Sequence, residues 1–326
     1  MILENLLIKS LRCPKTHCPL ILEGDFFSTT NSKEKIKYPI IDNIPILINE
    51  NESLFSIDQF VSKSDTTIDS KKIISDGRNK ARKLLLSFIP SLTADLSSVK
   101  NFEIFEKKIF DLNDSPIILV IGGATLGSGM SNFMKSGKAT IVESDVAFGT
   151  NTNFIFDAHD IPFVDGFFDA VIIQAVLEHV LDPVRCVSEI YRVLKTDGVV
   201  YSDIPFMQQV HMGRYDFTRY TFLGQLNLFK DFDEVKSGMS SGPGSALSWS
   251  IYYFLISFTE KKIIRRFIYF FVAIISIPIK SFDYILKNKK PAFDAAGGFY
   301  FIGAKSIKKN NHNPSILNKF IGCETR

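Results

Sequence analysis

Ile117-Ile118-Leu119-Val120-Ile121-Gly122-Gly123-Ala124-Thr125-Leu126-Gly127-Ser128-Gly129 is a run of five apolar residues that breaks into a glycine-rich turn. An unbroken run of branched apolar residues reads as a strand covered on both faces, and Pro116 fixes where it begins. The four glycines between positions 122 and 129 let the backbone turn sharply and come close to a ligand. A strand, a glycine-rich turn and then a helix is how open α/β sheets hold nucleotide-like molecules, with the helix N-terminus facing the ligand.

Downstream, the same alternation repeats. A helix is expected over 128–135 and a second buried strand over 139–144, ending in Glu143-Ser144-Asp145. An acid at that strand tip is placed to take the two ribose hydroxyls of an adenosine ligand, Asp145 first and Glu143 second. Residues 154–157 read as a strand ending in Asp157. A turn at Asp165-Gly166 follows, then a strand running to Gln174. Gln174 to Pro183 is expected to run into a helix, 187–194 is amphipathic, and 199–204 is the next strand. Strand and helix in strict alternation imply a parallel, doubly wound sheet. Phe232 to Lys236 and Gly298 to Ala304 read as sixth and seventh strands closing it as a hairpin.

Four segments carry a resemblance: Asp157-Ala158-His159-Asp160-Ile161-Pro162-Phe163, Asp165-Gly166-Phe167-Phe168-Asp169, Val176-Leu177-Glu178-His179-Val180 and Glu189-Ile190-Tyr191-Arg192-Val193-Leu194-Lys195. In that order and spacing they resemble class I S-adenosylmethionine-dependent methyltransferases. The resemblance implies an α/β fold with a doubly wound, seven-stranded, mostly parallel Rossmann-like sheet over 116–305, and S-adenosylmethionine as cofactor. It implies that Gly122, Gly123 and Gly127 turn under the methionine part and that Asp145 or Glu143 holds the ribose. It further implies that Asp157 and Ala158 face the adenine and that Gln174 lies beneath the cofactor. Phe163, Asp169 and Glu178 match positions read as structural, and His179 reads as an ordinary helix residue. Two positions depart from the pattern: Val120 stands where the family has an acid, and Ala124 where it has glycine. A catalytically inactive scaffold is therefore the alternative reading. A nicotinamide oxidoreductase is disfavoured, because the turn lacks G-x-G-x-x-G spacing.

Methyl transfer from a sulfonium is an in-line displacement, so the protein must align the acceptor and, for some acceptors, remove a proton. The loop after the fifth strand, His211-Met212-Gly213-Arg214-Tyr215-Asp216-Phe217-Thr218-Arg219-Tyr220-Thr221, is dense in groups suited to that task. His211 is the candidate base, Asp216 its orienting partner, and Arg219 or Arg214 a partner for an acidic substrate. This loop and Gly242-Pro243-Gly244-Ser245-Ala246 resemble methyltransferase-like proteins of surface-polysaccharide biosynthesis. That likeness implies a sugar or lipid-linked acceptor, and the methyltransferase resemblance a small-molecule one.

The remainder of the chain frames this domain. Residues 1–50 read as a small β-rich unit in which two short strands flank an Asp42-Asn43 turn. Leu11-Arg12-Cys13-Pro14 and Tyr38-Pro39-Ile40 through Ile44-Pro45-Ile46 resemble the Trm112-like domain, which implies a structural or partner role. Cys13, His17 and Cys18 lack a second ligand pair, so no metal is assigned there or elsewhere. Residues 51–115 read as a linker and helices, with apolar residues at helical spacing over 81–89 and no sign of a site. Residues 240–296 form an insertion whose apolar runs, 251–256 and 267–279, are too short for a bilayer span and are separated by Arg265-Arg266. Such helices are either buried or laid on a membrane surface through 251–279, where the flanking lysines suit an anionic leaflet. Residues 306–326 read as a polar tail. A net charge of +3 gives no argument for nucleic acid, and four scattered cysteines fit a reducing, cytoplasmic setting, peripheral to the membrane at most.

Overall fold

A computed structural model describes residues 2–30, 34–64, 66, 90–124, 127, 129–130, 133, 137–306 and 314–323. The apolar segment at 81–89 lies outside the described residues. Of the helix expected over 128–135, only Met130 and Phe133 are described apart from the glycine at 129; both are helical and buried.

The N-terminal part comprises α1 (Ile2–Ser10), β1 (Leu20–Glu23), β2 (Phe26–Thr29), β3 (Lys37–Ile41), β4 (Ile44–Leu47) and α2 (Ile57–Val61). Then come α3 (Ser98–Phe110), β5 (Ile117–Ile121), β6 (Thr140–Asp145), β7 (Phe154–Phe156), β8 (Phe168–Gln174), α4 (Pro183–Val193) and β9 (Leu194–Pro205). The C-terminal part holds α5 (Phe222–Leu228), β10 (Phe232–Ser241), α6 (Pro243–Ile256), α7 (Lys262–Ser281), α8 (Asp283–Leu286), α9 (Lys290–Phe293) and β11 (Gly298–Lys305).

All strands join one sheet in the order β1-β2-β3-β4-β7-β6-β5-β8-β9-β11-β10. β5 lies between β6 and β8, parallel to both, and every one of its residues is buried. That position explains its unbroken apolar sequence. Asp169 pins the two central strands together, because its carboxylate accepts from the Ile117 amide (2.8 Å), the Asn113 side chain (3.0 Å) and Lys195 (2.8 Å). α4 covers one face with Cys186, Val187, Ile190 and Val193. Its start is set by Pro183 and by Asp182, whose side chain caps the Arg185 amide at 3.0 Å. A cap of this kind is worth about 1 kcal/mol.

The sheet has eleven strands rather than the seven expected. The seven foreseen strands are present as β7-β6-β5-β8-β9-β11-β10, and the N-terminal unit adds four more at the β7 edge. The cause is an open edge. β7 has only three residues, and its backbone is paired in parallel by Ile46 and Leu47 of β4. An isolated bridge between Leu11 and Phe163 adds a second join. A buried strand with unpaired backbone groups is costly, and β4 satisfies them. Asp42 and Asn43 both take positive φ (51° and 64°), as the tight hairpin between β3 and β4 requires. The cysteine turn closes through the Cys13 amide on the Cys18 carbonyl, with the Cys13 thiol 3.1 Å from the Tyr38 hydroxyl.

Two further differences concern helices. The stretch after Gln174 forms only a 3₁₀ turn, Leu177–His179, before α4 begins. In the insertion, α6 and α7 pack on each other around Val272, Ala273, Trp249 and Tyr252. α7 buries only Val272, Ala273 and Ser276, so the hairpin is not a buried element of the core. Beyond Lys305, Pro314–Lys319 forms a 3₁₀ turn that brings Ile316 and Ile321 against the core.

Candidate active site

The C-terminal ends of β5, β6, β7, β8 and β9 open into one cleft of about 520 Å³, a size typical of small-molecule sites. At its floor is the glycine-rich turn. The amides of Gly122 and Gly123 both donate to the Ser144 carbonyl (2.9 Å each), which ties the turn to the tip of β6. Gly122 has φ 81°, and a Cβ there would lie 2.3 Å from Cγ2 of Val176. Ala175 also takes positive φ (54°), so the turns after β5 and β8 interlock in strained geometry, as is common at functional sites. The unexpected Ala124 is accommodated by Gly149, where a Cβ would come within 2.9 Å of the Ala124 Cβ.

Asp145 lies in the wall, with Oδ2 accepting from the Ala124 amide at 2.9 Å. Burial pushes its carboxyl up to about 6 against the pull of the Ala124, Val146 and Ala147 amides. Asp157 faces the opposite balance. Burial would raise it, but the His159 ring, the Ser53 hydroxyl (2.6 Å) and the His159 amide (3.1 Å) together hold it below the usual carboxylate range. His159 Nε2 accepts from the Asp182 amide at 3.0 Å, so the proton of its ring sits on Nδ1, toward Asp157.

Six of the eight residues expected at the cofactor line this cleft: Gly122, Gly127, Asp145, Asp157, Ala158 and Gln174. Gly123 and Glu143 do not. Glu143 is buried behind the turn, where a Cβ on Gly123 would come within 3.1 Å of its Cβ and Oε2; burial pushes its carboxyl up to about 7. His211 lines the same cleft, whereas Asp216 and Arg219 do not. The Asp216 carboxylate receives the His211 amide at 2.8 Å and both terminal nitrogens of Arg219. Burial is outweighed by that guanidinium, which holds Asp216 down to about 2. Asp216 and Arg219 therefore brace the loop that presents His211.

Several lining residues went unread in the sequence. Leu54 and Phe55 come from the segment after β4, Thr93 and Asp95 from the segment before α3, and Ser98 from its first turn, although 51–115 gave no sign of a site. Phe55 stacks on Tyr215 at 5.7 Å, joining that segment to the His211 loop. Arg185 clasps it from below, bonding Glu52 (2.8 Å), Asp160 and the His159 carbonyl (3.0 Å). Asp203, half-buried in β9 and bonded by Ser240 at 2.8 Å, also lines the cleft, and desolvation pushes it up to about 7. A carboxylate inside the buried strand Val199-Val200-Tyr201-Ser202-Asp203-Ile204 was the available signal.

The glycines give a graded prediction. A Cβ at Gly127 would lie 1.9 Å from Oε1 of Gln174, the flexible end of a side chain that can move. Gly127→Ala should leave Tm within about 2 °C but displace that amide, weakening a bound cofactor about 10-fold. Gly122→Ala meets both positive φ and Val176, and should cost roughly 2–4 kcal/mol of stability. Thermal melts and ligand titration of the two variants check the order.

The buried acids set a pH dependence. Glu143 and Asp203 (each about 7) and Glu178 (about 8, from burial) have folded values above the ordinary carboxyl range. The folded state therefore holds more protons than the unfolded one, and stability falls as pH rises through these values. His179, depressed to about 4 by burial, acts in the opposite sense, but only below its ordinary value of about 6.5. Between pH 6.5 and 8, Tm of the unliganded protein should fall by roughly 3–8 °C, and Asp203→Asn should flatten part of that slope. A profile that rises over this interval would contradict the assignment.

The strand order, parallel from β4 through β9 and closed by the antiparallel β11, defines an α/β methyltransferase-like fold with a mostly parallel central sheet. Consistent with that class, residues 130–202 match the family model described as a methyltransferase domain. No curated protein matches the chain. Among solved structures, the phosphoethanolamine N-methyltransferase 2 of Haemonchus contortus, in complex with S-adenosyl-L-methionine, is 15% identical over 63% of this chain and 52% of its own, with a TM-score of 0.39. The 1,6-didemethyltoxoflavin-N1-methyltransferase of Burkholderia thailandensis is 11% identical over 86% of this chain and 99% of its own, with a TM-score of 0.39. The MccD protein is 16% identical over 62% of this chain and 96% of its own, with a TM-score of 0.40.

Proposed function

We propose that the chain transfers a methyl group from S-adenosylmethionine to a small-molecule, sugar or lipid-linked acceptor. The observation that carries this reading is the convergence of Gly122, Gly127, Asp145, Asp157, Ala158 and Gln174 on one cleft that His211 also lines. In this reading the donor's ribose lies on Asp145, its adenine beside Asp157 and Ala158, and its methionine over the glycine turn. Val120 replaces the usual acid at the turn. Asp95 in the same cleft supplies negative charge suited to the donor's ammonium group, and that cation would in turn draw Asp203 into its charged form. The sulfonium methyl then faces the acceptor end, which His211 lines and which Asp216 and Arg219 brace. Titration calorimetry with S-adenosylmethionine and S-adenosylhomocysteine tests the reading: both should bind.

We read residues 1–50, Trm112-like in sequence, as a built-in sheet extension that holds Asn49, Ser53 and Phe55 against the site. We further propose that the α6–α7 hairpin rests on an anionic membrane surface. Phe254, Phe258, Phe267 and Phe271 are 59–77% exposed, and Lys261, Lys262, Arg265 and Arg266 lie among them. Among the described residues no helix is long and apolar enough to cross a membrane, so the contact would be peripheral. A membrane-held enzyme of this kind suits a lipid-linked acceptor.

A further inference from the structure

We infer that Glu178, His179 and His211 form a divalent-metal site at the acceptor end of the cleft, taking a borderline ion such as Zn²⁺ or Co²⁺. Glu178 is fully buried, and neither of its carboxylate oxygens has a hydrogen-bond partner among the described residues. A buried carboxyl group whose two oxygens lack partners is costly, and a cation beside it would satisfy them and hold the group as the carboxylate. Nε2 of His179 lies 3.6 Å and Nε2 of His211 3.8 Å from Glu178 Oε1, and the three ligand atoms all fall within 4.8 Å of one another. Metal–ligand bonds of about 2.1 Å in tetrahedral array would set such atoms about 3.4 Å apart, so small side-chain shifts close the site.

The surroundings of the two imidazoles support the same assignment. His179 Nδ1 lies 2.9 Å from the Tyr215 carbonyl, an acceptor, so its proton sits there and the Nε2 lone pair is left for a metal. His211 Nδ1 faces two acceptors, the Gln209 carbonyl at 3.3 Å and Asp216 Oδ2 at 3.4 Å, against a single donor, Arg219, at 3.4 Å. A carboxylate or carbonyl behind each imidazole is how histidine ligands are oriented. Three protein ligands leave coordination positions open, and all three residues line the cleft.

The inference deepens the proposed function and rests on it for its chemistry: the acceptor atom would be a hydroxyl oxygen. Bound to the ion, the hydroxyl loses its proton to water more readily. Its oxygen then forms the new bond to the methyl carbon as the carbon–sulfur bond breaks, and sulfur keeps the electron pair. Sugar and lipid-linked alcohols fit this role.

The test uses the full chain stripped with chelator and titrated with Co²⁺ and Zn²⁺. One ion per chain is expected, with the visible absorption of tetrahedral Co²⁺. Glu178→Gln and His211→Ala should each weaken it by roughly 100-fold. Cys18→Ser, in the N-terminal turn, should leave it unchanged. Calorimetry with S-adenosylhomocysteine in chelator monitors folding of each variant and separates the two ideas. If the wild type binds that ligand but no metal, or binds metal equally well in Glu178→Gln and His211→Ala, the metal site is wrong while the methyltransferase reading stands. If metal binds and the nucleoside ligand does not, the reverse holds.

Discussion

Asp145→Asn is expected to weaken S-adenosylmethionine binding by roughly 100-fold while leaving the unliganded protein as stable as before, or slightly more stable. The two halves have one cause. Asp145 is buried at the tip of β6, and burial pushes its carboxyl up to about 6, so the empty fold gains nothing from its charge. A ribose diol, by contrast, offers two hydroxyl donors that a carboxylate accepts together and an amide does not. Charge-assisted bonds of that kind are worth about 1.5–3 kcal/mol each in a buried setting. Oδ2 holds the Ala124 amide at 2.9 Å, an acceptor role that the amide oxygen of asparagine can keep, so the turn should survive. Titration calorimetry and thermal melts read the two effects separately. A large loss of Tm with unchanged affinity would mean that Asp145 is a structural acid.

The second large effect concerns the insertion. Replacing Phe267 and Phe271 by serine should reduce co-sedimentation with vesicles containing anionic lipid at least 10-fold and leave Tm unaltered. Both side chains are well exposed, so the folded monomer loses little. In a bilayer interface each inserted phenylalanine contributes roughly 1.5–3 kcal/mol, and each nearby Lys or Arg about 1 kcal/mol. Binding should therefore also fall with salt when Arg265 and Arg266 are kept, and depend less on salt when they are neutralised. Failure of the wild type to sediment with anionic vesicles would contradict the membrane reading and leave the cleft untouched.

Much of the sheet was legible because a fully buried parallel strand leaves an unambiguous mark. Ile117 to Ile121 and the run into Gln174 show it, and their turns carry the glycine, Asp145 and Asp157. Of the four additional strands only the β3–β4 hairpin was visible, β1 and β2 were not, and none was visible as part of the same sheet, since nothing in Ile46-Leu47 announces a partner some hundred residues away in β7. For the same reason the walls given by Leu54, Phe55 and Asp95 were illegible: they reach the cleft by tertiary placement alone. Glu178 and His179 read as structural because the sequence suggested a helix running on from Gln174. A single 3₁₀ turn instead brings both beside His211. The apolar run in α7 fixed composition but not orientation, and only the packing against α6 shows which side chains remain outside.

The central claim is that the glycine turn, Asp145, Asp157 and Gln174 form a site for S-adenosylmethionine. Titration calorimetry of the 326-residue chain with S-adenosylmethionine and S-adenosylhomocysteine is the decisive test. Saturable binding of both is expected, with one ligand per chain, a rise in Tm on saturation, and loss of both signals in Asp145→Asn. No heat and no thermal shift at millimolar ligand would contradict it.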